Sequence, residues 1–289
     1  MKKTLRLMGL CALAVLALAG CKKNNTEYAT VNVRVSDFSI TQEDINSKED
    51  PASYNPVKAI TLAFFGSTNY MAYMYTQYKD NPSSYITFGT FSANVPVGNY
   101  TIVAVAYAYN EGDNFALTSL TNAGYSSERP RETFCATQEV TVTSSSTLNL
   151  EVALNRISSM LQIVSTDERP AEAPKIRTTF SKGGKGFNPT TGLAKTDNGF
   201  AQTNSPSTGV GGNIAVSIFP FLYTDEESMT ITIEALDAND NVLITKTISE
   251  VPFKRNRKTI LTGQVYTPNN SGASFTLNTE WLPDHNVSF

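Results

Sequence analysis

NYTIVAVAYAY, residues 99–109, carries apolar side chains at most of its positions. In an extended chain, successive side chains point to opposite faces. The inner residues fall into two apolar sets, one formed by Ile102, Ala104 and Ala106 and the other by Val103, Val105 and Tyr107. A half-buried strand would alternate apolar and polar residues, so a run that is apolar on both faces indicates full burial. The segment therefore predicts a central strand of a β-sheet.

Other segments alternate strictly between apolar and polar residues, as half-buried strands do. In VNVRVSDFSI, residues 31–40, the apolar positions Val31, Val33 and Val35 share one face. The pattern recurs at residues 139–143, 147–154, 213–219, 229–236, 241–248 and 274–281. Turn-forming residues separate these runs, and long helical periodicity is absent from the sequence. A series of strands without intervening helices predicts an all-β protein built from antiparallel β-sandwiches.

The segment MKKTLRLMGLCALAVLALAGC places basic residues before an apolar run and ends in small residues at Cys21. This order predicts a secretory signal peptide over residues 1–20, because the apolar run is shorter than the roughly 20 residues of a membrane-spanning helix. Residues 18–21, LAGC, resemble the bacterial lipoprotein box, which implies a diacylated Cys21 at the start of the mature chain. Attached acyl chains would anchor the protein stably to a membrane that it does not cross. The alternative is an ordinary cleaved signal followed by an unrelated cysteine.

The mature chain is expected to contain one free thiol, since Cys11 leaves with the signal and Cys21 carries lipid. Only Cys135 then remains, so no disulfide forms within the chain and stability depends on apolar cores. The mature length suits two domains. We place their boundary so that residues 21–154 form an N-terminal β-sandwich and residues 155–289 a C-terminal one.

The charge balance argues against nucleic acid as a partner. With three of the 23 basic residues in the signal, the mature chain carries 20 basic and 26 acidic residues, a net charge of −6. Nucleic-acid affinity depends mainly on cations that release counterions from phosphates. The basic segment KRNRK, residues 254–258, therefore needs a structural explanation.

The sequence offers little catalytic or metal-binding chemistry. The sequence contains one histidine, His285, which lies four residues from the end of the chain. We therefore expect neither a histidine-dependent catalytic triad nor an HExxH metal motif. A glycosidase-type carboxylate pair stays open, because its two members meet only in the fold. DANDN, residues 237–241, matches a calcium-linker motif of cadherins but lies between two strands, where a hairpin turn is favoured. We expect no catalytic residues, no metal and no cofactor.

A tyrosine-rich segment, residues 69–88, allows two interpretations. If its rings are exposed, they could stack on sugars or on a partner protein, with Tyr73 and Tyr75 as the candidate ligand surface. If the segment pairs in a sheet, the rings serve core and edge packing.

Several segments together resemble the fimbrillin family, the lipoprotein-derived pilus subunits and anchor proteins of gut and oral anaerobes. They are the lipoprotein box, VPVGNYTIVAVAYA at 95–108, LNRISSMLQI at 154–163, VPFKRNRKTILTGQVYT at 251–267 and FTLNTEW at 275–281. The resemblance implies two transthyretin-like β-sandwich domains in series, with LNRISSMLQI opening the second. It also implies that the KRNRK cations mark the entry to a late strand and pair with acids of the second domain.

The same resemblance implies assembly by strand exchange, in which a neighbour's extended segment replaces the first strand of a sandwich. The leaving strand is assigned to residues 28–40, and its inward side chains are Val31, Val33, Val35 and Phe38. The candidate donor strand lies near the C-terminus, and its residues are Phe275, Leu277 and Trp281. Partners would be other fimbrial subunits, the outer membrane through lipid, and a host or bacterial surface ligand.

The sequence departs from the family's stalk subunits at the processing site. Those subunits are cut by an arginine-specific protease after the first strand, whereas residues 41–58 contain no arginine. The candidate processing residue is Arg34, which lies inside the strand itself. An uncut anchor subunit fits this sequence at least as well as a stalk subunit, and a surface glycan-binding lipoprotein is the alternative function.

Overall fold

The computed structural model describes residues 26–39, 48–49, 57–110, 112–144, 147–206, 214–268 and 276–278. In these ranges the chain forms β-strands and one short 3-10 helix, Pro82–Ser84. The all-β fold class predicted from the alternation is therefore confirmed. Within the same ranges, no helix has the length and apolar character needed to cross a bilayer.

The first half of the chain contributes ten strands. They are β1 (Tyr28–Ser39), β2 (Lys48–Glu49), β3 (Ala59–Gly66), β4 (Met71–Tyr78), β5 (Thr90–Pro96), β6 (Gly98–Tyr107), β7 (Phe115–Ser119), β8 (Asn122–Tyr125), β9 (Thr133–Val142) and β10 (Leu148–Arg156).

The second half contributes the rest of the described strands. They are β11 (Met160–Ser165), β12 (Lys175–Phe180), β13 (Gly186–Phe187), β14 (Phe200–Asn204), β15 (Ile214–Ile218), β16 (Glu226–Leu236), β17 (Val242–Lys254), β18 (Lys258–Gly263) and β19 (Thr276–Asn278).

The main sheet of the first half folds over on itself. Its strands run in the order β5, β1, β10, β9, β6, β3, β4, and the two-residue β2 pairs with the end of β1. β10 and β9 pair only where Asn155 meets Cys135 and Arg156 meets Phe134. The part β5–β1–β10 therefore faces the part β9–β6–β3–β4, and one apolar core contains residues from both parts.

The central strand predicted from NYTIVAVAYAY is β6. Every residue from Ile102 to Tyr107 is buried. Ile102, Ala104 and Ala106 belong to the core inside the folded sheet. The opposite set, Val103, Val105 and Tyr107, belongs to a second core that includes residues of β7 and β8. β6 thus has a packed layer on each face, which explains its lack of alternation.

A small sheet joins the two halves of the chain. Its order is β13, β8, β7, and Phe187 of β13 pairs with Ala123 of β8. The second core of the first half also contains Ile157, Phe187 and Phe221 from later in the chain. β10 continues to Arg156, two residues past the boundary placed after residue 154. That division into domains stays a prediction.

The second half packs two sheets around its own core, one ordered β15, β11, β18, β19 and the other β14, β12, β16, β17. The sequence predicted antiparallel sheets, but two pairs are parallel: β1 with β10, and β11 with β18. Alternation reports which side chains are buried and carries no information about the direction of the neighbouring strand. That the chain contains two transthyretin-like domains in series stays a prediction.

Candidate functional site

The candidate site is the groove that β1 fills in the first half. On one side, β1 pairs antiparallel with β5, from Tyr28 opposite Pro96 to Arg34 opposite Thr90. On the other side, it pairs parallel with β10. Val35 N–H also donates to Gly89 O at 2.9 Å, just before β5 begins. Hydrogen-bonded neighbours thus flank β1 on both edges, so its removal would leave β5 and β10 facing an open slot.

Three valines of β1 fill the apolar side of this groove. The exposed fractions of Val31, Val33 and Val35 are 0%, 0% and 2%, as the alternation predicted. All three belong to the core that also contains Phe91 and Ala93 of β5. Burying a valine side chain contributes about 1.5–3 kcal/mol, so the three together contribute on the order of 5–9 kcal/mol. Apolar contact therefore contributes substantially to holding β1 in its groove, in addition to its backbone ladders.

A bulge explains how Phe38 can continue the valine face. In an unbroken strand, Asp37 would follow Val35 on the same side. The register shifts between Val35 and Asp37, so that Phe38 pairs with Leu154, two positions after the partner of Val35, which is Val152. Phe38 therefore occupies the register position that continues the series of valine partners. Its side chain lies outside the described part of the structure.

The outward side of β1 carries polar contacts. Asn32 Nδ2 donates to Asn149 Oδ1 at 2.9 Å, and Arg34 Nη1 lies 4.0 Å from Glu151 Oε1 with both side chains well exposed. Pairs of this exposure contribute little to stability. Arg34 itself is paired with Thr90 of β5 and with Glu151 of β10. A protease that binds an extended substrate would need β1 to leave its groove before cutting after Arg34.

The candidate donor segment is only partly described. Leu277 lies in β19, which pairs antiparallel with β18 so that Leu277 stands opposite Leu261. β19 is the last strand of its sheet in the described order. Phe275, Trp281 and the lipidation residue Cys21 lie outside the described residues. The structure thus brings the known part of the donor segment to the second half, away from the β1 groove.

β11 occupies a matching place in the second half. It pairs parallel with β18 and antiparallel with β15, and Leu161 and Ile163 are fully buried. Just after β11, the Asp167 carboxylate accepts hydrogen bonds from Val265 N–H at 2.8 Å and Tyr266 N–H at 2.9 Å. Partial burial raises the pKa of Asp167, but these bonds and those from neighbouring hydroxyls outweigh it and hold that pKa below its ordinary value.

The tyrosine-rich segment forms the edge strand β4 and the turn after it. The Tyr73 ring packs edge-on against Phe64 with 5.8 Å between centroids, and burial, then the neighbouring Tyr75, raises the pKa of Tyr73. Tyr75 is 38% exposed, and its hydroxyl donates to Ser84 O at 3.0 Å. Both rings line a cavity of about 490 Å³ that is also bordered by Phe91 of β5. Tyr73 thus serves packing, whereas Tyr75 presents part of its ring to solvent.

The KRNRK segment lies at the corner between β17 and β18 and pairs with acids of the second half, as the resemblance implied. Lys254 Nζ lies 2.6 Å from Glu226 Oε1, and Arg255 Nη2 lies 2.7 Å from Asp225 Oδ1. Arg255 Nη1 also donates to Thr191 O at 2.8 Å. These cations are engaged in local structure.

DANDN forms the turn between β16 and β17, as the hairpin interpretation predicted. Asp237 Oδ1 accepts hydrogen bonds from the backbone N–H groups of Asn239 and Asn241, and Asp240 has a φ of 66°. An Asp that caps its own turn in this way is a common turn device. Over the described ranges, no group of three His, Cys, Asp or Glu side chains is placed to hold a metal ion.

Sequence reasoning missed a buried polar junction in LNRISSMLQI. Arg156 Nη2 lies 2.7 Å from Glu132 Oε1, with the two side chains 3% and 10% exposed. The Arg156 guanidinium also lies 5.1 Å from the centre of the Phe134 ring and donates to Asn256 Oδ1 at 3.2 Å. Asn256 belongs to the KRNRK corner, so Arg156 ties the two halves together. The sequence signal that could have indicated this junction is the position of Arg156 close to the apolar residues Leu154 and Ile157 at the end of a strand.

The fold is shared with solved proteins of low sequence identity. One candidate adhesin from Bacteroides ovatus has a TM-score of 0.52 at 11% identity, covering 89% of this chain and 97% of that one. Another, from Bacteroides ovatus ATCC 8483, has a TM-score of 0.50 at 12% identity, covering 80% and 87%. The fimbrial anchor protein Mfa2 from Porphyromonas gingivalis has a TM-score of 0.49 at 11% identity, covering 88% and 98%.

The β-sandwich fold implied by the fimbrillin resemblance is thus confirmed. Among curated proteins, none has a sequence that matches this chain significantly. A sequence profile, described as a family of unknown function (DUF6562), matches residues 61–285, which is more than half of the chain. The chain therefore belongs to the family of unknown function DUF6562.

Proposed function

We propose that this protein is a cell-surface adhesion subunit of the fimbrial type, held at the outer membrane by an acylated Cys21 and without catalytic activity. Two observations support this. The resemblance of residues 18–21 to the lipoprotein box supports an anchor at Cys21, and the fold is shared with two candidate adhesins. The observation that carries the proposal is the groove of β1, because a strand held between two neighbours can be replaced by a similar strand.

The proposed mechanism is strand exchange at the β1 groove. A donor from a neighbouring subunit would need apolar side chains at alternate positions to replace Val31, Val33 and Val35. Three such side chains would gain about 5–9 kcal/mol, whereas association costs about 4–15 kcal/mol. Because the two terms nearly cancel, a durable assembly requires a groove already shaped for its donor. The candidate donor is the C-terminal segment that contains Leu277.

The paired position of Arg34 favours an uncut anchor over a processed stalk subunit. Cleavage after Arg34 would require β1 to leave both of its neighbours first. Mass spectrometry of the N-terminus of the native protein separates the two roles. An acylated Cys21 as first residue supports the anchor, and a start at Val35 supports processing and assembly as a stalk subunit.

Strand exchange is tested by removing β1. A variant that lacks residues 22–40 should form oligomers, or should be unstable until a peptide of residues 28–40 is added. A peptide with Val31→Ser, Val33→Ser and Val35→Ser is the matched control, since it keeps the length and loses the buried side chains. Light scattering and fluorescence anisotropy report the two outcomes. A folded, strictly monomeric variant that ignores both peptides would contradict the mechanism, as would an unfolded one that the native peptide does not restore.

A second candidate function is glycan binding in the cavity lined by Tyr73 and Tyr75. Aromatic faces and polar groups together suit sugars, and this cavity of about 490 Å³ also contains Gln77 and Thr87. Glycan-array binding that is lost in Tyr75→Ala and kept in Tyr223→Ala, an exposed tyrosine of the other half, would support it. A blank array would leave strand-mediated adhesion as the function.

A further inference from the structure

One end of the first half gathers three turns and the start of β1. Tyr28 pairs with Pro96 at the end of β5, and Gly98 at the start of β6 pairs with Val142 at the end of β9. Gly66, the last residue of β3, pairs with Tyr100. Residues 66–70, 96–99, 143–144 and 147 therefore lie at the same end of the sheet. We call this end the entry pole, since the chain enters the fold there.

The entry pole exposes three large aromatic or aliphatic side chains and carries few charges. Tyr28, Tyr70 and Val97 are 57%, 66% and 41% exposed. Burial, and then the neighbouring phenols of Tyr70 and Tyr28, raise the pKa of Tyr100. The three turns contain no Asp, Glu, Lys or Arg. Charged residues beside them are Glu27 and Glu139, and Glu139 lines a surface pocket together with Gly66 and Asn99.

The opposite end of the same sheet shows that this lack of charge is local. The described turn residues there are 79–81, 108–110, 112–114 and 126–132, and they include seven charged residues. That end also contacts the second half through the shared core. The two ends of one sheet therefore differ in charge. β10 starts at the uncharged end and runs to Arg156 at the other end, where the chain passes into the second half.

The chain between Cys21 and the entry pole is short. Tyr28 is the seventh residue after Cys21. Since an extended chain spans at most about 3.6 Å per residue, the pole can lie no more than about 25 Å from an acylated Cys21. Tyrosine rings and small polar residues are the composition found where a protein meets the boundary between headgroups and acyl chains.

We propose that the entry pole rests on the lipid surface in which Cys21 is anchored, with Tyr28, Tyr70 and Val97 at the level of the headgroups. This inference depends on the lipid anchor of the proposed function. The contact would orient the protein so that the second half, with β19 and the candidate donor segment, points away from the membrane. It would also leave the edges of the β1 groove at the side of the molecule, where a neighbour can reach them.

The test uses the acylated full-length protein in vesicles of phosphatidylethanolamine and phosphatidylglycerol. A Tyr70→Cys variant carries an environment-sensitive fluorophore at the pole, and Leu243→Cys, at an exposed site of the second half, carries it as the matched control. The native thiols do not interfere, because Cys21 is acylated and Cys135 is buried, which raises its pKa to about 12. Quenching by nitroxide-labelled lipids then reports contact with the bilayer.

We expect several-fold stronger quenching at position 70 than at position 243. Adding Tyr28→Ser and Val97→Ser to the Tyr70→Cys variant should reduce the quenching at 70, whereas adding Tyr223→Ser should not. Equal, weak quenching at both positions in protein that floats with the vesicles would overturn the inference and leave the anchor intact. A label at 70 that is shielded without vesicles would assign the pole to a protein partner and overturn it too. Protein that does not float would remove both the anchor and the inference.

Discussion

The first strands of the two halves, β1 and β11, have similar neighbours but different attachments. Each lies between a parallel strand from the end of its half and an antiparallel strand. Each buries aliphatic side chains, Val31 and Val33 in β1 and Leu161 and Ile163 in β11. Lateral packing therefore does not distinguish them.

Their ends do. β11 follows directly on the buried residues Ile157, Ser158 and Ser159, and Ser159 Oγ donates to Pro220 O at 3.1 Å. Asp167 fixes the chain just after it. β1 instead begins at the exposed Tyr28, and the residue before it, Glu27, accepts a backbone hydrogen bond from Val97 N–H at 2.8 Å. Because buried contacts attach β11 at both of its ends, we expect β1 to leave its groove more readily than β11.

The largest expected effect is in β11. Leu161→Ala combined with Ile163→Ala should lower the free energy of unfolding by about 4–10 kcal/mol, because each truncation leaves a cavity that costs about 2–5 kcal/mol. Since the free energy of unfolding of a whole domain is only about 5–15 kcal/mol, the second half of this variant should unfold at a much lower denaturant concentration than in the wild type. A peptide of residues 159–166 should not restore it. Restoration by that peptide would show β11 to be as separable as β1.

The junction between the halves comes next. Arg156→Ala should cost about 3–5 kcal/mol, because it leaves the buried carboxylate of Glu132 without its 2.7 Å ion pair. The double variant Arg156→Met with Glu132→Leu is the control and should stay near the wild type, since no charge is left buried. Calorimetry should show two separate transitions in Arg156→Ala. A single unshifted transition would mean that the halves are joined by other contacts.

A smaller effect is expected in β1. Val33→Ala should cost about 2 kcal/mol, because it removes buried methyl groups and leaves a small cavity. If β1 leaves its groove alone, this loss should speed the uptake of a labelled peptide of residues 28–40 by about 30-fold. Arg34→Ala, at an exposed pair, should change uptake little. Equal rates in Val33→Ala and the wild type would argue against independent opening of β1.

The smallest effect concerns Asp167. Its folded pKa lies below its ordinary value of 3.8, so its stabilising effect is present above about pH 4 and is lost as the pH falls through the folded pKa. Asp167→Asn should cost about 1 kcal/mol at pH 7, allowing for partial exposure, and should flatten the pH dependence of unfolding below pH 4. Parallel pH profiles of the two proteins would show that the carboxylate does not hold the end of β11.

The sequence predicted those features that depend on one segment at a time. The burial of β6 on both faces follows from its side chains alone. The place of Phe38 opposite Leu154 depends on a bulge, which no alternation pattern announces. The parallel partners of β1 and β11 and the pair of Arg156 with Glu132 join residues distant in sequence. Such pairings are decided by the packing of the whole sheet.

Native-state hydrogen exchange across β1 and β11 in the mature full-length protein tests most directly whether β1 opens on its own. We expect the amides of β1, including that of Val35, which donates to Gly89, to exchange through an opening of lower free energy than global unfolding. The amides of β11 should exchange only with the whole second half. If β1 and β11 exchange with the same free energy and respond alike to denaturant, β1 is not a separable strand.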